Sequence, residues 1–80
     1  MSRAPVTVLG QLRELMERHD LTIRTPLGSG LGLDLDGRCA LADRIGEAWQ
    51  VPVSYRAAEN WRTVGDICAW ISGAMELEAA

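Results

Sequence analysis

The stretch 25–36, TPLGSGLGLDLD, limits what this chain can fold into more than any other segment. Pro26 and the glycines at 28, 30 and 32 exclude a continuous helix across it. On both sides of it the apolar periodicity is helical. Before it, Val6, Leu9, Leu12, Leu15 and Met16 recur mostly at three-residue steps, with Gln11, Arg13, Glu14 and Glu17 filling the other face. His19 and Asp20 are expected to close this first helix. A long loop then begins near Leu21, anchored by Ile23, Leu27, Leu31 and Leu33. The backbone must therefore be helix, long loop and helix again.

The second helix is expected to begin near Asp34 or Asp36, either of which can cap its free N–H groups. It should run to about Trp49, with Leu35, Cys39, Leu41, Ala42, Ile45, Ala48 and Trp49 as its apolar positions. Pro52 stops it. Ser54 can cap a short third helix, YRAAEN, and Thr63-x-x-Asp66 reads as a capping box for a fourth. That last helix presents Val64, Ile67, Cys68, Trp70 and Ile71, and the tail GAMELEAA is expected to fray.

At 80 residues the chain makes a single domain, 1–80, with an ordered core over about 5–73 and one modest hydrophobic core. A net charge of −3 and a pI near 4.9 argue against nucleic acid and anionic membrane as main partners. No apolar run approaches the roughly 20 residues that cross a bilayer. The first ten residues have no signal-peptide character, so the cytoplasm is the expected location. Cys39 and Cys68 lack metal-ligand spacing and are expected to be reduced core thiols.

Together these elements resemble the acyl carrier protein family over nearly the whole chain. In that family a Thr-x-Leu…Leu-Gly-x-Asp run leads into a serine that carries the 4′-phosphopantetheine arm. The resemblance implies an all-α four-helix bundle, with three main helices, one short one and a long first loop. With Trp49 on the large residue that ends the family's second helix, Thr63-Val64 falls on the Thr-Val that opens its last. No gap is needed from Asp34 to Ile71, and Leu35 then occupies the serine position. A rival register reads LGLD-LDG as LGLDSLDG with the serine deleted, and needs a compensating insertion before Trp49. Either way no serine follows Asp34.

The attachment position Asp34, Leu35, Asp36 is therefore degenerate, because Leu35 has no nucleophilic oxygen. The resemblance then implies no resident cofactor and a noncatalytic protein–protein interaction module. It would serve a carrier-dependent pathway making fatty acids, polyketides or related thioester products. Its contact residues would be Leu33, Leu35, Arg38, Cys39 and Arg44, meeting a carrier-recognising enzyme or subunit. The family's second helix is usually strongly acidic. Here Arg38 and Arg44 are interspersed with Asp36, Asp43 and Glu47, which is expected to weaken long-range steering, since salt screens beyond ~8–10 Å. A solvated face of mixed charge explains the same residues.

Two alternatives stand beside this reading. One is a working carrier loaded with 4′-phosphopantetheine at an atypical site, for which exposed Ser29 in GSG is the candidate. The other is a small helical regulatory or assembly subunit. Enzymatic activity is not expected, since no nucleophile–base pair, metal cluster or carboxylate pair can be assembled. Gly28-x-Gly30-x-Gly32 has no strand before it and no βαβ unit after it, so it is not a dinucleotide loop. A partial calcium-loop spacing at Gly32, Asp34, Asp36, Gly37 and Asp43 starts on a glycine and lacks the closing glutamate. The three tryptophans are expected to serve core packing, with Trp49 and Trp70 at large apolar positions.

Overall fold

A computed structural model describes the backbone of residues 8–79 and the side chains of residues 8–76. Val6, the first member of the expected apolar stripe, lies outside these. The described residues form four helices in the order α1 (Val8–Met16), α2 (Leu35–Trp49), α3 (Tyr55–Asn60) and α4 (Val64–Ala79). No strand occurs among them, and the single isolated β-bridge joins Pro26 to Thr63. α1 packs on α4 and α2 on α3, which makes a small helical bundle.

α1 ends at Met16 and not at His19–Asp20. Glu17 takes a left-handed φ of 56°, its N–H donates to Glu14 O at 3.2 Å, and Arg18 N–H donates to Arg13 O at 2.9 Å. These two bonds satisfy carbonyls that the helix would leave open, which is the usual left-handed closure of a helix C-terminus. Glycine normally takes that position, so a glutamate there does not announce the stop. His19 accordingly lies in the exposed turn beyond the helix. Gln50, at φ 57°, closes α2 in the same manner.

The other helix ends are where the caps place them. Asp34 accepts from Gly37 N–H at 2.8 Å and starts α2, whereas Asp36 falls within the first turn. Ser54 accepts from Ala57 N–H at 3.1 Å and starts α3. At α4 the capping box forms: Thr63 Oγ1 accepts from Asp66 N–H at 3.3 Å, and Asp66 Oδ2 accepts from Arg62 and Thr63 N–H at 2.9 and 3.1 Å. α4 is continuous to Ala79, so the fraying expected of GAMELEAA is not seen in its backbone. Beyond Gly73, Ala, Met, Glu and Leu are all good helix formers.

The core gathers buried side chains from every part of the chain. Leu12 of α1, Leu41 and Ile45 of α2, Ala58 of α3, and Ile67 and Ile71 of α4 all meet there. Each fully buried Leu or Ile contributes roughly 1.5–3 kcal/mol relative to exposure. The long loop adds Leu21 and Leu27, both fully buried. Ile23, expected as one of the loop's anchors, is instead 58% exposed. It stands at the tip of a turn closed by Thr22 and Thr25, whose hydroxyl accepts from Thr22 N–H at 2.9 Å. The loop is also held at its middle. Leu27 N–H donates to Arg62 O, Val64 N–H to Thr25 O and Gly65 N–H to Ile23 O, each at 2.9 Å.

The tryptophans divide differently from expectation. Trp61, which precedes α4, is the core residue, at 3% exposure. Trp49 and Trp70 are half-buried and pack at its edge. Trp61 and Trp70 meet edge to face, with ring centroids 6.0 Å apart, a favoured geometry for aromatic pairs. Trp49 donates its indole N–H to Gln11 Oε1 at 3.0 Å, which joins α2 to α1. Cys39 and Cys68 are both free and half-buried, and burial pushes the Cys68 thiol up from its ordinary value.

Candidate acidic docking face on the second helix

The loop and its cap deliver Leu35 as the first residue of α2. Asp34 turns its carboxylate back onto Gly37 N–H, so the side chain of residue 35 leaves the helix start beside a satisfied cap. Leu35 is 49% exposed and takes no place in the core. Asp36 is exposed in the first turn, where the helix dipole favours a carboxylate.

Helical spacing sorts the rest of α2 into strips. Leu41, Ala42 and Ile45 are buried. On the opposite side Asp36, Ala40, Asp43 and Glu47 follow one another at i, i+4, i+7 and i+11, and all four are exposed. This outward strip is purely acidic apart from Ala40. The two arginines read as interspersed with it are turned away. Arg44 donates from Nη2 to Leu15 O at 2.6 Å, and so covers an open carbonyl at the end of α1. Arg38 is half-buried, and its guanidinium lies 3.7 Å from where a Cβ at Gly28 would stand. Its Nε is buried without a hydrogen-bond partner among the described residues. Charges that alternate along the sequence are thus separated in space.

The acidic strip has an apolar spot on each flank. On the α1 side an open hollow of about 290 Å³ is lined by Met16, Leu33, Gly37, Ala40, Leu41 and Arg44. Glycine at 37 matters there, because a Cβ would come 3.1 Å from the Leu33 side chain. On the α3 side Leu35 and Cys39 lie one turn apart, followed by Asp43. The Tyr55 hydroxyl donates to Asp43 Oδ1 at 3.2 Å. That bond holds the phenol above its ordinary value of 10.0, with the Asp43 charge, burial and nearby Cys39 adding lesser amounts.

Of the five residues expected to form one contact surface, the structure therefore joins some and separates others. Leu33 and Arg44 line the hollow, Leu35 and Cys39 occupy the other flank, and Arg38 faces the glycine loop. Ser29 is exposed within the turn that Leu33 N–H closes onto Leu27 O at 2.8 Å. Among the described residues no group of three His, Cys, Asp or Glu side chains could hold a metal ion. No helix of the described residues is long and apolar enough to cross a membrane.

Sequence reasoning missed the hollow, since Met16 and Leu33 come together only through the early end of α1. The acidic strip had a signal in the 36, 43, 47 spacing, obscured by reading the arginines in line. No protein-family model, curated protein or solved structure matches the chain.

Proposed function

We propose that this chain is a carrier-like domain without a loading site, which works as a noncatalytic protein–protein interaction module of a carrier-dependent thioester pathway. The carrying observation is Leu35: an apolar side chain half-exposed at the first position of α2, where the acyl carrier family bears its pantetheinylated serine. The order helix, long loop, helix, short helix, helix agrees with that family. So does the outward acidic strip of α2, which suits a partner with a basic surface. No arm is attached at position 35, and the partner is met through the face of α2 itself.

The reading is tested by intact mass after incubation with coenzyme A and a broad-specificity phosphopantetheinyl transferase. The wild-type mass stays unchanged, while Leu35→Ser gains one phosphopantetheine. Failure of a well-folded Leu35→Ser to load, with a true carrier modified alongside, would count against a carrier-like α2. Loading of the wild type would transfer the argument to Ser29.

A further inference from the structure

Arg38 is the one charged residue of α2 that neither joins the acidic strip nor completes another helix. It is half-buried, yet it meets no carboxylate, since the one ion pair among the described residues is Arg18–Asp20. The acidic residues nearest to it in sequence are engaged or turned elsewhere. Asp34 directs its carboxylate onto Gly37 N–H at 2.8 Å, and Asp36 lies on the outward strip. Helical spacing puts Arg38 on the side of Leu41, Ala42 and Ile45, away from Asp36, Asp43 and Glu47. Its Nε–H is buried without an acceptor among the described residues. Buried arginines are almost never left unpaired, and a buried donor without an acceptor calls for a functional account.

The glycine turn before α2 supplies further donors at the same place. Nη2 of Arg38, which shares one edge of the guanidinium with Nε–H, lies 3.7 Å from where a Cβ at Gly28 would stand. A branched side chain at residue 28 would press on Nη2, and glycine avoids that contact. The turn is closed by Gly30 N–H to Pro26 O at 3.1 Å, and by Gly32 N–H to Gly28 O and Leu33 N–H to Leu27 O, both at 2.8 Å. These bonds use neither the N–H of Gly28 nor that of Ser29, and both residues are exposed. The turn is also tight, since a Cβ at Gly30 would come 2.6 Å from Pro26 O. A guanidinium thus adjoins a fixed turn that carries two uncommitted backbone donors and the Ser29 hydroxyl.

We infer that Arg38 and the Gly28–Ser29 turn bind a phosphate group. The planar fork of an arginine meets two phosphate oxygens at once, and backbone N–H groups of a turn are the usual complement to it. A carboxylate offers such a donor set two oxygens, and a phosphate ester offers three. With an exposed rim and one cation, the affinity belongs to the millimolar range.

The test uses the isotope-labelled wild-type chain, titrated with inorganic phosphate and with glycerol phosphate at constant ionic strength. Its failure would leave the carrier-like reading untouched, because loading of Leu35→Ser does not involve Arg38. The Arg38 Nε–H and the Gly28 and Ser29 amide signals shift saturably, half-complete at about 1–10 mM. Acetate binds at least about tenfold more weakly. Arg38→Gln weakens phosphate binding at least about tenfold, and Arg38→Lys, which keeps the charge and loses the fork, about fivefold. Gly28→Val weakens it with Arg38 intact, and so keeps the test decisive where an Arg38 variant fails to fold by circular dichroism. Tighter binding of glycerol phosphate assigns the site to a phosphorylated small molecule, and tighter binding of inorganic phosphate to the free ion; either supports the inference. Shifts that do not saturate by about 100 mM overturn it. So do shifts confined to other parts of the chain, binding that survives in a folded Arg38→Gln, and acetate bound as tightly as phosphate.

Discussion

Trp61 is the largest side chain of the buried core, and its indole N–H is buried without a partner among the described residues. Its contribution must therefore come from packing: the edge contact with Trp70 and the surrounding core. Truncation to alanine removes that packing and leaves a cavity, so Trp61→Ala is expected to cost roughly 3–5 kcal/mol. That is a large share of the total stability of a domain this small. Trp49→Ala should cost less, because Trp49 is half-buried and its bond to Gln11 is exposed. Urea unfolding of the two variants side by side measures the difference. An equal loss would mean that Trp49 carries more of the core than its burial indicates.

At the scale of the element, α4 depends on a charged cap. Asp66 accepts two backbone N–H bonds, from Arg62 and Thr63, and these hold its carboxyl below the ordinary 3.8. A depressed folded value means that the ionised form stabilises the fold. That stability is fully present above about 3.8 and is lost as pH falls through the lower folded value. Asp66→Asn should melt lower than wild type near neutral pH, and the gap should narrow as pH falls below about 4. Melting temperature recorded against pH decides the point. A gap constant down to strong acid would show that charge has no part in the cap. Arg44 plays a related role across elements: a side chain of α2 completes the C-terminus of α1, so the two helices are tied through a carbonyl that neither packing nor α1 itself would satisfy.

For the molecule as a whole, the long loop is part of the bundle. Its attachment runs through Gly65, where backbone meets backbone so closely that even a methyl group would intrude on Ile23 O. Gly65→Ala should therefore separate the loop from α4 and destabilise the whole domain by about 1–3 kcal/mol, in the manner of overpacking. Leu21 and Leu27 belong to the common core, so unfolding should remain a single transition, shifted to lower temperature. A separate early transition would show that the loop melts independently of the helices.

Short-range chemistry in the sequence was enough for the helical class, the four-element order and three of the helix starts. Asp34, Ser54 and Thr63-x-x-Asp66 cap their helices through atoms only a few residues away, so no distant contact is needed to read them. The exposed Leu35 was legible in part: its place beside the cap is local and the family resemblance marked it as a contact residue, whereas its half-exposure is set by how α2 packs. Tertiary structure decided what depends on residues far apart in the chain. Trp61 takes the core place expected of Trp49 and Trp70, which pack at its edge, and Ile23 is turned outward while Leu21 and Leu27 are turned in. Arg44 reaches Leu15 across 29 positions, which leaves the outer strip of α2 acidic although the sequence there mixes both signs. Charge order along a helix is written in the chain; where each long side chain lays its charge depends on which unsatisfied carbonyl the fold brings within reach.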